Sequence, residues 1–238
     1  MRVLKNLSMK WKTWQLIVIV LLVSGCAEIR GWKFTPNTYS QPPQPMVQKS
    51  VVVPPFRDSR PDENSNKLGL YLIPLMPFGW ADMSAPETFN PFIKFKPTED
   101  LARSAVQELQ ASGLFKEVFY SERPSTEGDL VLVGEVKSTQ LNQKIISYGL
   151  SVYASLFWLI GLPAGTVQND LIVKLSLEEK ATKATVWSKE FTRSYDAWSW
   201  LYSMKSFFEF DNLYRDLLKS AVEDMKGVIG KGVLQKGG

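Results

Sequence analysis

The 238-residue chain has no histidine and a single cysteine, Cys26. Without histidine there is no Ser-His-Asp triad, no Cys-His pair and no histidine-ligated zinc site. One cysteine excludes an internal disulfide and a cluster of thiolate ligands. Acid–base chemistry would fall to Asp, Glu, Lys and Tyr, as in two-carboxylate glycan hydrolysis. The glycines of residues 227–238 contain no phosphate-loop pattern. Residues 62–66 (D-E-N-S-N) offer oxygen ligands but lack the spacing and the glycine of a calcium loop. The expectation is a protein that is not an enzyme, with no cofactor and no metal.

Acidic residues are missing from the first 25 positions, which hold Arg2, Lys5, Lys10 and Lys12. A basic start, an uncharged run from Thr13, an apolar core over residues 16–23 and then Ser24 and Gly25 make the layout of a secretory signal. At about 1.5 Å per residue that core is too short to cross a hydrocarbon layer of about 30 Å. The run Val23-Ser24-Gly25-Cys26 resembles the lipobox of bacterial lipoproteins. The resemblance implies that the Cys26 thiol takes a diacylglyceryl group, that the chain is cut before Cys26, and that the new amino terminus is acylated. Two or more acyl chains anchor stably where one does not. Ala27 stands where an aspartate would favour inner-membrane retention. The expected location is the periplasmic face of the outer membrane, or the cell membrane of a Gram-positive organism.

The chain carries 28 basic and 24 acidic residues. Without the four basic residues of the leader, 24 of each sign remain and the net charge is zero. The basic footprint of a nucleic-acid-binding protein is missing. An apolar fraction of 45% suffices for the core of one domain.

The chain divides into four segments: a signal peptide over 1–25, a lipidated start and Pro/Gln-rich tether over 26–50, a domain over 51–230 and a loose tail over 231–238. Pro36, Pro42, Pro43 and Pro45 favour extended geometry in the tether. Its full reach of about 80 Å would let the domain hang clear of the bilayer. Trp32 and Phe34 lie within it and either dock on the domain or sit at the lipid interface.

Strands are expected at 51–53, at 68–75 with a bend at Pro74, at 117–121 and at 129–139. Residues 77–97 read as an irregular stretch packed by its own aromatics. A helix over 98–112, capped by Thr98, stops at Gly113. Residues 171–177 and 184–195 form an antiparallel hairpin. A last helix begins at Asp211 with the apolar stripe Leu213, Tyr214, Leu217, Leu218, Ala221, Val222 and Met225, and frays at Gly227. The fold class is α/β: a mixed, mainly antiparallel sheet with two principal helices packed against it.

Residues 51–60, the step Ser112-Gly113-Leu114-Phe115 and residues 128–134 carry a second resemblance. The chain is similar to envelope lipoproteins with a fold like the amino-terminal domain of TolB, among them the curli-secretion lipoprotein and penicillin-binding-protein activator lipoproteins. It departs from that pattern where Ser59 separates Asp58 from Arg60. The resemblance implies scaffolding, secretion or assembly roles. The curli-secretion branch builds a pore, but residues 145–169 lack the alternation of a barrel strand, so no pore is carried over.

Three groups are candidate sites. Arg57, Asp58, Arg60, Asp62 and Glu63 form a polar cluster that reads either as a partner contact or as a local ion-pair network. Residues 145–169, including Phe157 and Trp158, contain no charge. They read as a buried or half-buried hairpin excursion, as a surface that meets lipid or a partner, or as a spanning segment. Tyr195, Trp198, Trp200 and Tyr202 form a core satellite or a glycan platform. The function expected is a membrane-anchored periplasmic lipoprotein, held by Cys26, that binds another envelope protein as a scaffold or assembly component. The alternatives are a membrane-active or secretion-pore-associated oligomer and a carboxylate-based glycan hydrolase.

Overall fold

Alternation of apolar and polar residues over long stretches produces the frame of the molecule: three strands of unusual length, lying side by side. The computed structural model describes residues 30–40, 44–89, 93–123, 128–203 and 205–230. The signal peptide, Cys26 and the tail lie outside the described residues. In chain order the main elements are β1 (Val47–Val53), β2 (Arg57–Asp58), β3 (Asn64–Lys67), β4 (Phe78–Met83), α1 (Pro86–Phe89), α2 (Pro97–Ser112), β5 (Phe115–Tyr120), β6 (Leu130–Ile146), α3 (Ala154–Leu159), β7 (Gly165–Glu179), β8 (Thr185–Ser199) and α4 (Phe210–Gly230).

The eight strands form one mixed sheet with the path β8-β7-β6-β1-β5. β6, β7 and β8 pair antiparallel, with Ile145 opposite Gly165 and Gly165 opposite Ser199 at one end. The other edge of β6 is shared by three partners: β1 and β2 run parallel to it, and β4 pairs antiparallel further on, from Met83–Leu141 to Phe78–Ile146. This is the α/β architecture expected from the sequence.

The inward face of β7 is Val167, Asn169, Leu171, Val173, Leu175 and Leu177, all buried. On β6, Leu130, Leu132 and Val136 point the same way, and the ring of Phe56 lies where a side chain on Gly134 would stand. A bulge between Val136 and Ser138 then shifts the alternation by one, so that Thr139 and Leu141 face the core. α2 and α4 cover this face. The stripe of α4 from Leu213 to Met225 is buried, and Tyr214 Oη donates to Leu101 O at 3.0 Å. α2 ends at Gly113, which takes φ 62°, the left-handed conformation glycine adopts without strain.

Several local expectations change. Thr98 does not cap α2. The helix begins at Pro97, and the Asp100 carboxylate accepts the Lys96 N–H at 2.7 Å. Residues 68–72 form a 3-10 turn, not a strand, because this Gly-containing segment folds against Gly79 of β4. Residues 77–97 are partly regular, with β4 and α1 inside them. α4 continues through Gly227. β1 starts at Val47, four residues earlier than the run of valines indicates.

The largest change concerns residues 32–39, which are docked. Trp32 stacks on Phe95 at 4.8 Å and donates from Nε1 to Ser104 Oγ at 2.9 Å. The fully buried Glu108 of α2 then gathers three donors. Its carboxylate accepts the Asn37 N–H at 3.0 Å, Asn37 Nδ2 at 2.7 Å and the Tyr39 hydroxyl. Asn37 Nδ2 also donates to Arg215 O at 3.0 Å, so the segment bridges α2 and α4. Burial, then the neighbouring Glu108 carboxylate, push the Tyr39 phenol far above its usual range, and it stays a donor at every physiological pH.

Glu108→Leu strands these donors and is expected to destabilise the fold by about 3 kcal/mol. For a chain of this length that lowers Tm by roughly 6–12 °C. Calorimetry checks it, and an unchanged Tm would show that the docked segment adds nothing to stability.

Candidate interaction surface

β6, β7 and β8 run past the helices. Asn169, fully buried, donates from Nδ2 to Phe207 O at 3.2 Å and accepts the Glu209 N–H at 2.8 Å, which places the start of α4 at its level. Four more residues of β7 extend beyond it, about 13 Å of strand. The chain between β6 and β7 closes this end through a 3-10 turn (Ser151–Tyr153) and α3.

This excursion is held from inside. Trp158 Nε1 donates to Ile146 O at 3.0 Å, Phe157 packs edge-on against Tyr148 at 5.5 Å, and the Tyr148 hydroxyl donates to Pro163 O at 2.6 Å. Phe157 and Trp158 are therefore half-buried supports. The other sides of the same turns are bare: Val152, Tyr153, Leu156, Leu159 and Ile160 are 52–74% exposed. The excursion is half-buried: Ser151 and Ala154 are buried, Phe157 and Trp158 intermediate, and the rest of these turns faces out. No helix among the described residues is long and apolar enough to cross a membrane.

A second loop joins it. The Leu75 N–H donates to Gly149 O at 2.9 Å, the Ser147 N–H to Pro77 O at 2.9 Å, and the Ser151 hydroxyl to Leu72 O. Leu72 and Ile73 are about half exposed and Leu75 is 89% exposed. From the β8 side, the exposed Tyr202 donates to Leu159 O at 2.9 Å. Leu75, Tyr148 and Ser151 adopt φ of 70°, 53° and 56°, conformations that non-glycine residues avoid. Three uncharged stretches, 68–81, 145–169 and 197–203, thus meet at one end as a contiguous apolar surface. Such a surface marks a contact site. Sequence reasoning missed residues 72–75, because a strand assignment turned them into core. Their signal was the absence of charge from Leu68 to Ala81.

Beside Trp158 lies a cleft of about 230 Å³, lined by Ile145, Val167, Leu201 and Phe207 with Lys205. None of its lining residues is a carboxylate.

The polar cluster near β2 is split. The Arg60 side chain is 5% exposed and donates to Asp58 at 2.8 Å, to Glu87 at 2.7 Å and to Thr139 Oγ1 at 2.6 Å. Its hydrogen bonds hold the Asp58 carboxyl below the usual carboxylate range. Arg57 points to solvent, opposite Glu135 on the parallel strand. Asp62 and Glu63 are exposed and line an open hollow with Asp82, Gln140 and Asn142. Among the described residues no three carboxylates converge as a metal site. The aromatic run divides as well. Phe208 and Phe210 are core, stacked around Phe95, whereas Trp198 and Tyr202 are exposed.

No family model and no curated sequence matches the chain. Among solved structures it is similar to protein XCC0632 from Xanthomonas campestris, of family DUF330, at 14% identity and a TM-score of 0.48, covering 87% of this chain and 99% of that one. It is also similar to a neuraminyllactose-binding hemagglutinin homologue from Helicobacter pylori (10% identity, TM-score 0.42, covering 86% and 98%). A third similar structure is the PelC dodecamer from Paraburkholderia phytofirmans (15% identity, TM-score 0.39, covering 76% and 90%). At these scores none carries an argument about this chain, whose role has to be read from its own residues.

Arg60→Met is expected to cost about 3–5 kcal/mol, because it leaves Glu87 buried without its counter-charge; Arg57→Ala should cost less than about 0.5 kcal/mol. The Asp58 carboxyl, lowered in the fold, contributes stability that is present at neutral pH and lost as pH falls through its depressed folded value. Urea unfolding at pH 7 and pH 3 checks both points. Arg57→Ala matching Arg60→Met would refute the division.

Proposed function

We propose that this chain is a membrane-anchored envelope lipoprotein that works by binding and not by catalysis, acting as a scaffold or assembly component. The observation that carries the binding role is the contiguous apolar end built by residues 72–75 and 150–162, held in shape by Trp158 and Phe157 from within. Cys26, after Val23-Ser24-Gly25, supplies the anchor. The absence of histidine and the lack of carboxylates in the apolar cleft both support a role outside hydrolysis. The expected location is the periplasmic face of the outer membrane. Phe157 and Trp158, singled out as contacts, serve this surface as its supports, and Arg57 and Asp58 lie apart from it.

The test has two arms. Wild-type chain in cells should incorporate labelled palmitate and fractionate with the membrane, and Cys26→Ser should lose the label. An unlabelled wild type overturns the anchoring. Leu156→Asp with Ile160→Asp should fold with an unchanged Tm and lose the crosslinks that a photoreactive residue at position 159 makes with envelope components, while Phe157→Asp with Trp158→Asp should lower Tm by more than about 5 °C. Retention of every crosslink in the first double variant overturns the apolar end as the contact.

A further inference from the structure

We infer that the apolar end contacts the lipid of the membrane itself, lying in the headgroup and acyl boundary of the bilayer that the anchor occupies. The inference rests on the anchoring proposed above only for the length of the leash. Its main support is the order of side chains along the strands.

On the face opposite the helices, strand register lines up one row across the sheet: Lys67, Trp80, Lys144, Thr166 and Trp198. Lys67 lies over the Trp80 ring at 5.4 Å, and Lys144 reaches toward the apolar end over Phe78 at 5.7 Å. Trp198 is 53% exposed. Beyond this row, toward the end, stand the strand termini Phe78, Ile146, Gly165 and Ser199 and the excursion, with Lys205 at the cleft behind Trp158. Two residues in the other direction, about 7 Å, the aligned row is Ser65, Asp82, Asn142, Gln168 and Asp196.

The surface is therefore graded along one axis: an apolar tip, then Trp and Lys, then carboxylates and amides. That is the polarity profile of a bilayer interface, where amphipathic indole rings sit at headgroup level and lysines extend toward phosphate. A protein partner would call for a polar rim around the apolar centre, not a cationic belt on one side with the anionic row held behind it.

The leash agrees. Arg30–Gly31 pairs with Ile93–Lys94 and residues 32–39 are docked, so the sequence separating Cys26 from the domain is not the whole tether but the four steps to Arg30, which span at most about 14 Å. An acylated Cys26 thus keeps the domain against the bilayer.

A site-specific quenching experiment on the full chain tests this. Ile160→Cys, 74% exposed, carries an environment-sensitive fluorophore. Thr192→Cys, exposed on β8 and seven residues, about 23 Å, from the end of that strand, is the control. Vesicles contain phosphatidylethanolamine and phosphatidylglycerol, with or without a nitroxide on the acyl chain. The expected result is a blue shift and at least about twofold quenching at position 160, consistent with a depth of about 5–10 Å, and neither at position 192. A blue shift at 160 without nitroxide quenching would mean that a second copy or another protein face covers the end, and would overturn the inference. So would a water-like emission at 160. Mass spectrometry of Cys26 in the same sample separates the two readings. An acylated, vesicle-bound chain without quenching refutes the surface alone, and an unmodified Cys26, whose free thiol would also take the fluorophore, refutes the anchor.

Discussion

The carboxamide of Asn169 determines where the helical layer stops. Buried on the inward face of β7, it holds Phe207 O and the Glu209 N–H and so places the first turn of α4. An unpaired amide there would cost about 1–3 kcal/mol, which fixes α4 at that level. Beyond Asn169 the inward face of the sheet is covered by loop and excursion residues: Val167, still buried, shares a cleft with Leu201, Phe207 and Trp158. The strands need not end there, because β6, β7 and β8 satisfy one another's backbone groups to Gly165 and Ser199. The overhang is a hydrogen-bonded platform, and the excursion between β6 and β7 is built on it. The bare apolar surface is thus a consequence of the offset between two layers.

The helices and the β7–β8 hairpin were legible in the sequence, because one period ran through each: the stripe from Leu213 to Met225, and Leu171, Val173, Leu175 and Leu177. β6 was legible only to Thr139. The bulge at Lys137 moves the alternation by one, so a period-two reading loses its phase there although the strand continues to Ile146. The short stretches that suggested a family likeness fall on buried residues, such as Val51, Val53, Leu114, Phe115, Leu130 and Leu132. They mark packing and say little about what the fold does.

Docking of Trp32 and Phe34 was one of two readings the sequence left open, but the part played by Asn37 and Tyr39 was hidden for a different reason. The prolines of this amino-terminal segment indicate extended geometry correctly, but extended chain can lie on a surface as well as hang in solvent. Docking depends on one carboxylate, Glu108, that looks like an ordinary polar position on α2. Burying it is tolerable because donors from residues 37 and 39 are brought to it. Pairings across about 70 positions leave no local trace in a sequence. The candidate site was half legible in the same sense. Lack of charge marked residues 145–169, but exposure is decided by whether a helix happens to cover them.

A lipid-facing end on an acylated protein need not supply affinity. Two or more acyl chains on Cys26, as proposed, would already hold the chain to the membrane. A short leash holds the end at an effective concentration on the order of 1 mM, and an interaction with a dissociation constant of about 1 mM, worth about 4 kcal/mol, is then half occupied. Two or three side chains of the size of Ile160 and Leu156 reach that figure at about 1.5–3 kcal/mol each. The remaining exposed residues move the balance toward full contact. What the surface contributes is orientation: with residues 150–162 in the interface, the strands stand on the membrane. The Asp82 and Asp196 row, together with the hollow lined by Asp62 and Glu63, is then carried away from the lipid. A flexible tether would leave that polar face turned in any direction. The proposed anchor and the apolar end together would give it one.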